Sequence, residues 1–331
     1  MRRVDVSALV VTWNSANDIA GCVDAALAQR GVELEVVVVD NASTDGTQEV
    51  LARYADEPRV RVLLQSQNLG YAEGNNLAAA HAGGRHLLLL NPDCTPDPDC
   101  AAVLLQHLES TSDCGAAAAV LRYPDGRHQS FLRRELTFAG SCWAFLEVGR
   151  RLDTRFWHGS HQAWRIYADL DDLRPDAPFA VDCPAAACVM LPTALVGDRL
   201  FNPRMPLFFN DAELYRRLRA QRYQVVVVPG ATAVHAYGTS VAAVPSGRRR
   251  AEMVASLREY LRPVRSRGAR TALWLLLVLD ALVCMVPART RPLARGTLGG
   301  LGLPGGVPPW LAPVPPLLGR RAADQRSRQS S

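Results

Sequence analysis

Three residues stand where their neighbours could give them chemistry. Asp93 ends "LLLLNPD", residues 87–93. A run of four leucines reads as a strand buried on both faces, and Pro92 restricts the turn that follows. A carboxylate delivered this way suits a hard divalent cation, which prefers oxygen ligands and can neutralise a diphosphate. The same residues also fit an aspartate in a proline-rich turn that caps a helix from about Asp97, and the local residues do not choose between the two. Asp211 follows Phe208-Phe209, an apolar wall that disfavours a charged carboxylate by desolvation and so suits a base. The N-cap of a helix opened by "NDAEL" is the reading that these local residues favour. His235, alone, reads as a structural histidine. His128, His158 and His161 could touch a substrate, although solvated loop describes them as well. Glu213 and Arg217 are four apart and fit a helical ion pair, and Cys183 and Cys188 read as packing residues.

These side chains need a frame. "VSALVVTWN" (6–14), "LEVVVVDN" (34–41), "RVRVLLQ" (59–65) and "HLLLLNPD" (86–93) read as four strands. Between them, helical spacing runs over 16–29, with Asn17 and Asp18 as candidate caps, over 43–54 and over 71–82. Solid apolar strands alternating with helices predict an α/β fold with a mainly parallel sheet covered on both faces. Ligands bind beyond the carboxyl ends of such strands, and three of the four ends carry Thr12-Trp13-Asn14, Asp40-Asn41 and Asn91-Pro92-Asp93. Residues 123–180 are rich in Arg, Trp, His and Pro, and read as a partly irregular insertion facing the site. "ACVMLP" (187–192) is a short strand, 207–221 runs into a helix, and 223–240 reads as two short strands around Pro229-Gly230 that end at His235.

The chain has 331 residues, 48% hydrophobic and 21% charged, which predicts a folded core. Every basic residue is arginine. From Ser246 onward 15 arginines face Glu252, Glu259, Asp280 and Asp324, a net of +11, which leaves −6 for the body. A basic tail suits anionic lipid or nucleic acid, but the body shows no nucleic-acid motif. The cysteine spacings resemble no zinc knuckle, and reduced thiols in a cytoplasmic protein are expected. Asp5 and Trp13-Asn14 interrupt any apolar leader. Residues 271–288 are strongly apolar but contain Asp280, and arginines flank both ends. That pattern favours an amphipathic helix in a membrane interface over a span; a core helix packed on the body is the other reading.

The motifs "VVTWNS" (10–15), "VVVVDNASTDGT" (36–47), "NLGYAEGNN" (68–76), "LLLLNPD" (87–93), "LFFNDAELYRRL" (207–218) and "VHAYGTS" (234–240) come in an order that resembles the family 2 glycosyltransferases with the GT-A fold, especially their rhamnosyl- and galactofuranosyl-transferase-like branch. The resemblance covers residues 6–240 and implies roles position by position. Thr12, Trp13 and Asn14 match the segment that cradles the nucleotide base, with Trp13 where a tyrosine is usual. Asp40 matches the carboxylate that hydrogen-bonds a pyrimidine, and Asn68 and Asn75 lie beside the nucleoside. Asn91-Pro92-Asp93 takes the place of the Asp-x-Asp metal motif with an amide as its first member, which leaves Asp93 as the direct ligand. His235 matches a histidine that completes the metal site. Asp211 matches the catalytic base, and Asn210 replaces the glutamate before it.

The resemblance implies a GT-A catalytic domain over 1–244, with a nucleotide-binding half (1–122) and an acceptor and base half (123–244). A basic, apolar helical tail (245–295) and an unstructured Gly/Pro/Arg-rich end (296–331) follow. It further implies an inverting transferase that uses Mn2+ or Mg2+, a dTDP- or UDP-sugar donor and a glycan or lipid-linked acceptor. Such a protein would sit in the cytoplasm on the inner face of the plasma membrane. A sugar nucleotidyltransferase would want a Gly-rich basic loop after the first strand and a dehydrogenase a G-x-G-x-x-G there; both are absent. A non-catalytic assembly subunit is opposed by the retention of Asp93, Asp211 and His235.

Overall fold

The computed structural model describes residues 4–135, 146, 167–168, 176–236, 245–263, 266–285 and 290–303. Strand and helix alternate as expected from β1 (Val6–Thr12) through α1 (Ile19–Leu27), β2 (Leu34–Asp40), α2 (Thr47–Leu51), β3 (Val60–Leu64) and α3 (Gly70–Ala80) to β4 (His86–Leu90). Every residue of β1 and β4 is buried, the two-sided burial that their unbroken apolar runs imply. Parallel pairing sets Thr12 opposite Asp40, Asp40 opposite Leu64, and Val10 opposite Leu90. The carboxyl ends of β1, β2 and β4 therefore lie together along one edge.

The second half adds β5 (Cys94–Pro96), α4 (Cys100–Ser110), β6 (Cys114–Arg122), β7 (Leu132–Arg133), β8 (Tyr167–Ala168), β9 (Phe179–Ala180), β10 (Cys183–Pro184), β11 (Cys188–Pro192), α5 (Asn210–Ala220) and β12 (Gln224–His235). Among the described residues the main sheet has nine strands, in the order β3-β2-β1-β4-β11-β6-β12-β5 with β9 on β12; β10-β7-β8 form a smaller one. The sheet is parallel through its first half. Beyond β4 it is mixed, because β11 enters antiparallel between β4 and β6. Most of 136–175, including His158 and His161, lies outside the described residues.

Three expectations need correction. Residues 224–235 form one strand rather than two. Pairing to β6 continues on both sides of Pro229-Gly230, with the register shifting between Val228 and Thr232; a proline with no N–H is absorbed there as a bulge. Helix α1 starts at Ile19, and Asp18 at its N-cap makes no side-chain capping bond; the first turn is instead held by bonds from Asp18 N and Ile19 N to Ser15 O, each 3.0 Å. The helical tail does not end at 295. It comprises α6 (Ser246–Leu261), α7 (Arg267–Met285) and α8 (Arg291–Gly300). Gly296 and Gly300 are contact residues: a Cβ on either would collide with the α6 backbone at Gly247 O or Ala251 O. The two helices meet through small residues four apart on each, a spacing that lets backbones approach closely.

Helix α7 is long and apolar enough to cross a membrane, with a mean hydropathy of 1.7 and 28% of that window buried. Its buried face carries Leu273, Leu277, Asp280, Ala281 and Cys284. Leu273 and Leu277 belong to the main core, and Asp280 faces Arg250 at 4.0 Å between the helices. The opposite face exposes Leu275, Leu276, Leu279, Leu282 and Val283. The reading of a core helix packed on the body is met on the buried face of α7.

Candidate functional site

Asp93 and His235 are brought together by sheet pairing. Strand β5 begins directly after Asp93 and runs antiparallel to β12, with Cys94 opposite His235. Ala236 N donates to Asp93 O at 3.0 Å, and Cys94 N to Asn91 O at 3.0 Å, which fixes the turn. His235 Nε2 lies 3.2 Å from Asp93 Oδ1 with both side chains buried, and 3.3 Å from Asn91 Nδ2. On the far side of the ring, Nδ1 lies 2.8 Å from Gln129 Oε1. A carboxamide oxygen only accepts, so Nδ1 is the donor to Gln129, and Nε2 is the ring atom turned toward Asp93 and Asn91. Gln129 is 1% exposed and pinned by a 2.9 Å bond from its own N–H to Leu121 O. Sequence reasoning missed it, since "RHQSF" shows no period or motif.

The donor-side residues form a braced set of loops. Thr12 is fully buried, and its Oγ1 has no partner among the described residues. Asn14 takes a left-handed backbone with φ 52°, a conformation asparagine tolerates. Its Oδ1 accepts from Thr44 N at 2.9 Å, and its N donates to Ser43 Oγ at 2.9 Å, tying the loop after β1 to the loop after β2. Asp40 is buried and accepts from Ser43 Oγ at 2.5 Å, Ser43 N at 3.1 Å and Gln48 Nε2 at 2.8 Å. Asn68 Oδ1 accepts from Gly70 N at 2.8 Å. Asn75 donates to Tyr71 O within α3 at 2.9 Å, a bond inside its own helix. Asn41, which the sequence did not single out, ties β2 to this helix start through Gly70 O and Leu69 N. Trp13 is partly exposed at the mouth of this set.

Asp211 sits in the first turn of α5. Phe209 precedes the helix in a left-handed conformation, φ 64°, and stacks on Tyr260 with ring centroids 5.7 Å apart. Asp211 Oδ1 accepts from Ala212 N at 2.8 Å, so its side chain serves the helix start. Its Oδ2 faces Arg133 Nη2 at 3.5 Å. The environment is therefore apolar on one side and cationic on the other, and Arg133 too was missed from sequence. The expected Glu213–Arg217 pair forms at 3.0 Å, and Arg217 also donates to Leu200 O. Tyr71 packs partly buried against the core. Burial, then the charge of Asp211, and to a lesser degree that of Asp93, push its phenol well above the usual range, against a bond with Asn75. Its hydroxyl reaches Ala186 O at 3.3 Å and Asn91 Oδ1 at 3.5 Å. Cys183 and Cys188 are buried thiols; burial and then the charge of Asp211 push Cys183 up, whereas at Cys188 the contact with Cys100 lowers the value and is outweighed by the contact with Cys94 and burial; His128 is exposed.

The sheet with carboxylates on its carboxyl edge and an antiparallel strand inserted beside β4 is the GT-A fold of glycosyltransferases. Solved structures agree. A mannosyltransferase of Pyrobaculum calidifontis in complex with GDP-Man and Mn2+ aligns over 100% of this chain and 80% of its own, at 18% identity and TM-score 0.53. TarS 1–349 of S. aureus in complex with UDP-GlcNAc aligns over 89% and 80%, at 17% identity and TM-score 0.53. Residues 7–167 match the model of Glycosyl transferase family 2, and this stretch carries a domain of that family; Asp211 and His235 lie beyond the match. Succinoglycan biosynthesis protein ExoO of Rhizobium meliloti is 39% identical over 116 residues, 35% of this chain and 32% of that protein. Chondroitin synthase of Pasteurella multocida is 33% identical over 163 residues, 46% of this chain and 16% of that protein. The chain thus spans a third or less of the length of these two relatives.

The donor set fits a divalent cation. Asp93 Oδ1 and His235 Nε2, an oxygen and a nitrogen of types that ligate divalent cations, face each other at 3.2 Å. No group of three or more His, Cys, Asp or Glu gathers among the described residues. Two protein ligands are what a cation completed by substrate phosphates needs.

Proposed function

We propose that this chain is an inverting glycosyltransferase that moves a sugar from a nucleoside-diphosphate donor to a hydroxyl of a cell-envelope glycan or a lipid-linked acceptor. The observation that carries the reading is the buried Asp93–His235 pair, 3.2 Å apart and set beside the carboxyl edge of the sheet by the pairing of β5 with β12. Asp211 would take the acceptor proton as the acceptor oxygen attacks the anomeric carbon, and Arg133 keeps a positive charge beside it. Asp93 and His235 would hold Mn2+ or Mg2+, which when bound supplies Lewis-acid stabilisation of the departing diphosphate. Thr12, Trp13, Asn14, Asp40 and Asn68 would border the nucleoside. The names of the relatives, a succinoglycan biosynthesis protein and a chondroitin synthase, support a polysaccharide-building role.

The donor we favour is a pyrimidine nucleotide sugar, dTDP-L-rhamnose first and UDP-galactofuranose second, on the resemblance of Asn91-Pro92-Asp93 and Phe209-Asn210-Asp211. We further infer peripheral attachment to the inner face of the plasma membrane through the exposed leucines of α7. The other face of that helix is packed into the catalytic core through Leu273 and Leu277, which argues against a free-standing span. The test is a panel of nucleotide sugars with Mn2+ or Mg2+, followed by release of the nucleoside diphosphate with and without chelator. Metal-dependent hydrolysis of a dTDP- or UDP-sugar is expected. Turnover of a GDP-sugar alone would overturn the donor assignment, and no turnover of any donor would overturn the reaction.

A further inference from the structure

A cavity of about 740 Å³ opens between α6, α7 and the loop at 203–206, away from the donor loops. We propose that it binds the diphosphate head of a lipid, and that this lipid is the acceptor carrier. The inference rests on the transferase reading above and deepens it.

The charge and shape of the cavity carry the argument. Arg204, Arg258, Arg262, Arg267 and Arg270 line it from three separate segments, against Glu252 and Glu259, a formal net of +3. Glu259 is shared by Arg204 and Arg262 at 3.6 Å each, and both arginines are more than 60% exposed. Pairs so wet are weak and yield readily to a phosphate, whose oxygens take guanidinium forks in a bidentate manner. The floor is apolar, made by Leu273, Trp274 and Leu277 of α7. An arginine-ringed cavity with an apolar floor matches an amphiphile with an anionic head and a hydrocarbon tail, and a sugar nucleotide has no hydrocarbon for that floor.

Position assigns the ligand to the acceptor side. Pro206 lines the cavity and accepts from Ala72 N at 3.0 Å, and the chain then runs through Phe208-Phe209 into Asp211. Tyr260 of α6 stacks on Phe209, and Arg216 of α5 lies 4.1 Å over Tyr260 and donates to its carbonyl at 2.8 Å. The helix that supplies Arg258 and Arg262 is thereby locked to the helix that carries the candidate base. A head group held here would present its sugar toward Asp211.

Calorimetry on the full chain with farnesyl diphosphate, inorganic diphosphate and farnesol tests this. Farnesyl diphosphate should bind, Arg262→Ala/Arg267→Ala should weaken it by roughly tenfold or more, and UDP with Mn2+ should not displace it. The two arginines lie outside the donor site, so metal-dependent donor hydrolysis should be unchanged in the variant. Equal binding of inorganic diphosphate, equal binding of farnesol, displacement by UDP, or unchanged affinity in the double variant each overturn the assignment. Donor hydrolysis is read separately. If it fails while the arginine-dependent binding holds, the transferase reading falls and the cavity stands; the reverse result removes the cavity alone.

Discussion

At Asp93 and Asp211 the same functional group meets different neighbours. Asp93 faces His235 Nε2 across 3.2 Å, two atoms that a divalent cation could bridge together with substrate phosphates. Asp211 faces a guanidinium and has a helix start behind it. Asp211→Asn keeps size and hydrogen bonding but cannot act as a base. It should leave donor binding nearly intact and lower turnover by about two orders of magnitude or more, and wild-type turnover in the variant would remove the assignment. Asp93→Ala and His235→Ala should each weaken Mn2+ binding in the presence of the nucleoside diphosphate, read by electron paramagnetic resonance rather than by turnover. Gln129→Leu tests the tautomer. It removes the acceptor that keeps the hydrogen on Nδ1, and such outer partners typically matter by 10–100-fold in metal affinity; an unchanged Mn2+ affinity would show that Gln129 only packs. Asp93 and Asp211 stood out because one follows an apolar strand and the other opens a helix. Gln129 and Arg133 were not, because they act across 106 and 78 residues, and only the completed sheet brings those segments together.

The elements were read well where burial alone decides them. β1, β2 and β4 are solid apolar runs and appear as such. The errors fell where tertiary contact overrides a local signal. Pro229-Gly230 looks like a break, yet pairing with β6 on both sides carries the strand through it. The glycines after residue 295 look like loop, yet Gly296 and Gly300 are the points at which α8 lies against α6. This gives a direct test. Gly300→Val would press on Ala251 O and Val254 and should cost about 1–3 kcal/mol, the range of overpacking, measured by thermal unfolding. Gly268→Ala in α7 meets nothing within 4 Å and should be neutral or slightly stabilising, by up to about 1 kcal/mol. Equal melting points for the two variants would mean that the close approach of α6 and α8 contributes nothing to stability.

At the scale of the whole molecule, the helical tail and the catalytic body are one packed unit. Tyr260, Leu261, Leu273 and Leu277 join the main core, so cutting the chain at residue 245 would strip Phe209 of its stacking partner and confuse loss of fold with loss of membrane contact. Substitution on the outer face of α7 separates the two. Leu275, Leu279 and Leu282 are 55%, 59% and 56% exposed, so glutamates there disturb no packing in the folded protein. In a bilayer interface they would place carboxylates where apolar side chains should enter and beside anionic head groups, while the exposed arginines at 262, 267, 291 and 295 would remain. The wild-type protein should float with vesicles containing anionic phospholipid at low salt, and binding should weaken as salt screens the arginine contribution. Leu275→Glu/Leu279→Glu/Leu282→Glu should stay in the pellet fraction while retaining metal-dependent donor hydrolysis. A wild-type protein that ignores these vesicles, or a triple variant that floats as well as wild type, would rule out the leucine face as the membrane contact and leave a soluble partner or a second copy of the chain to cover it.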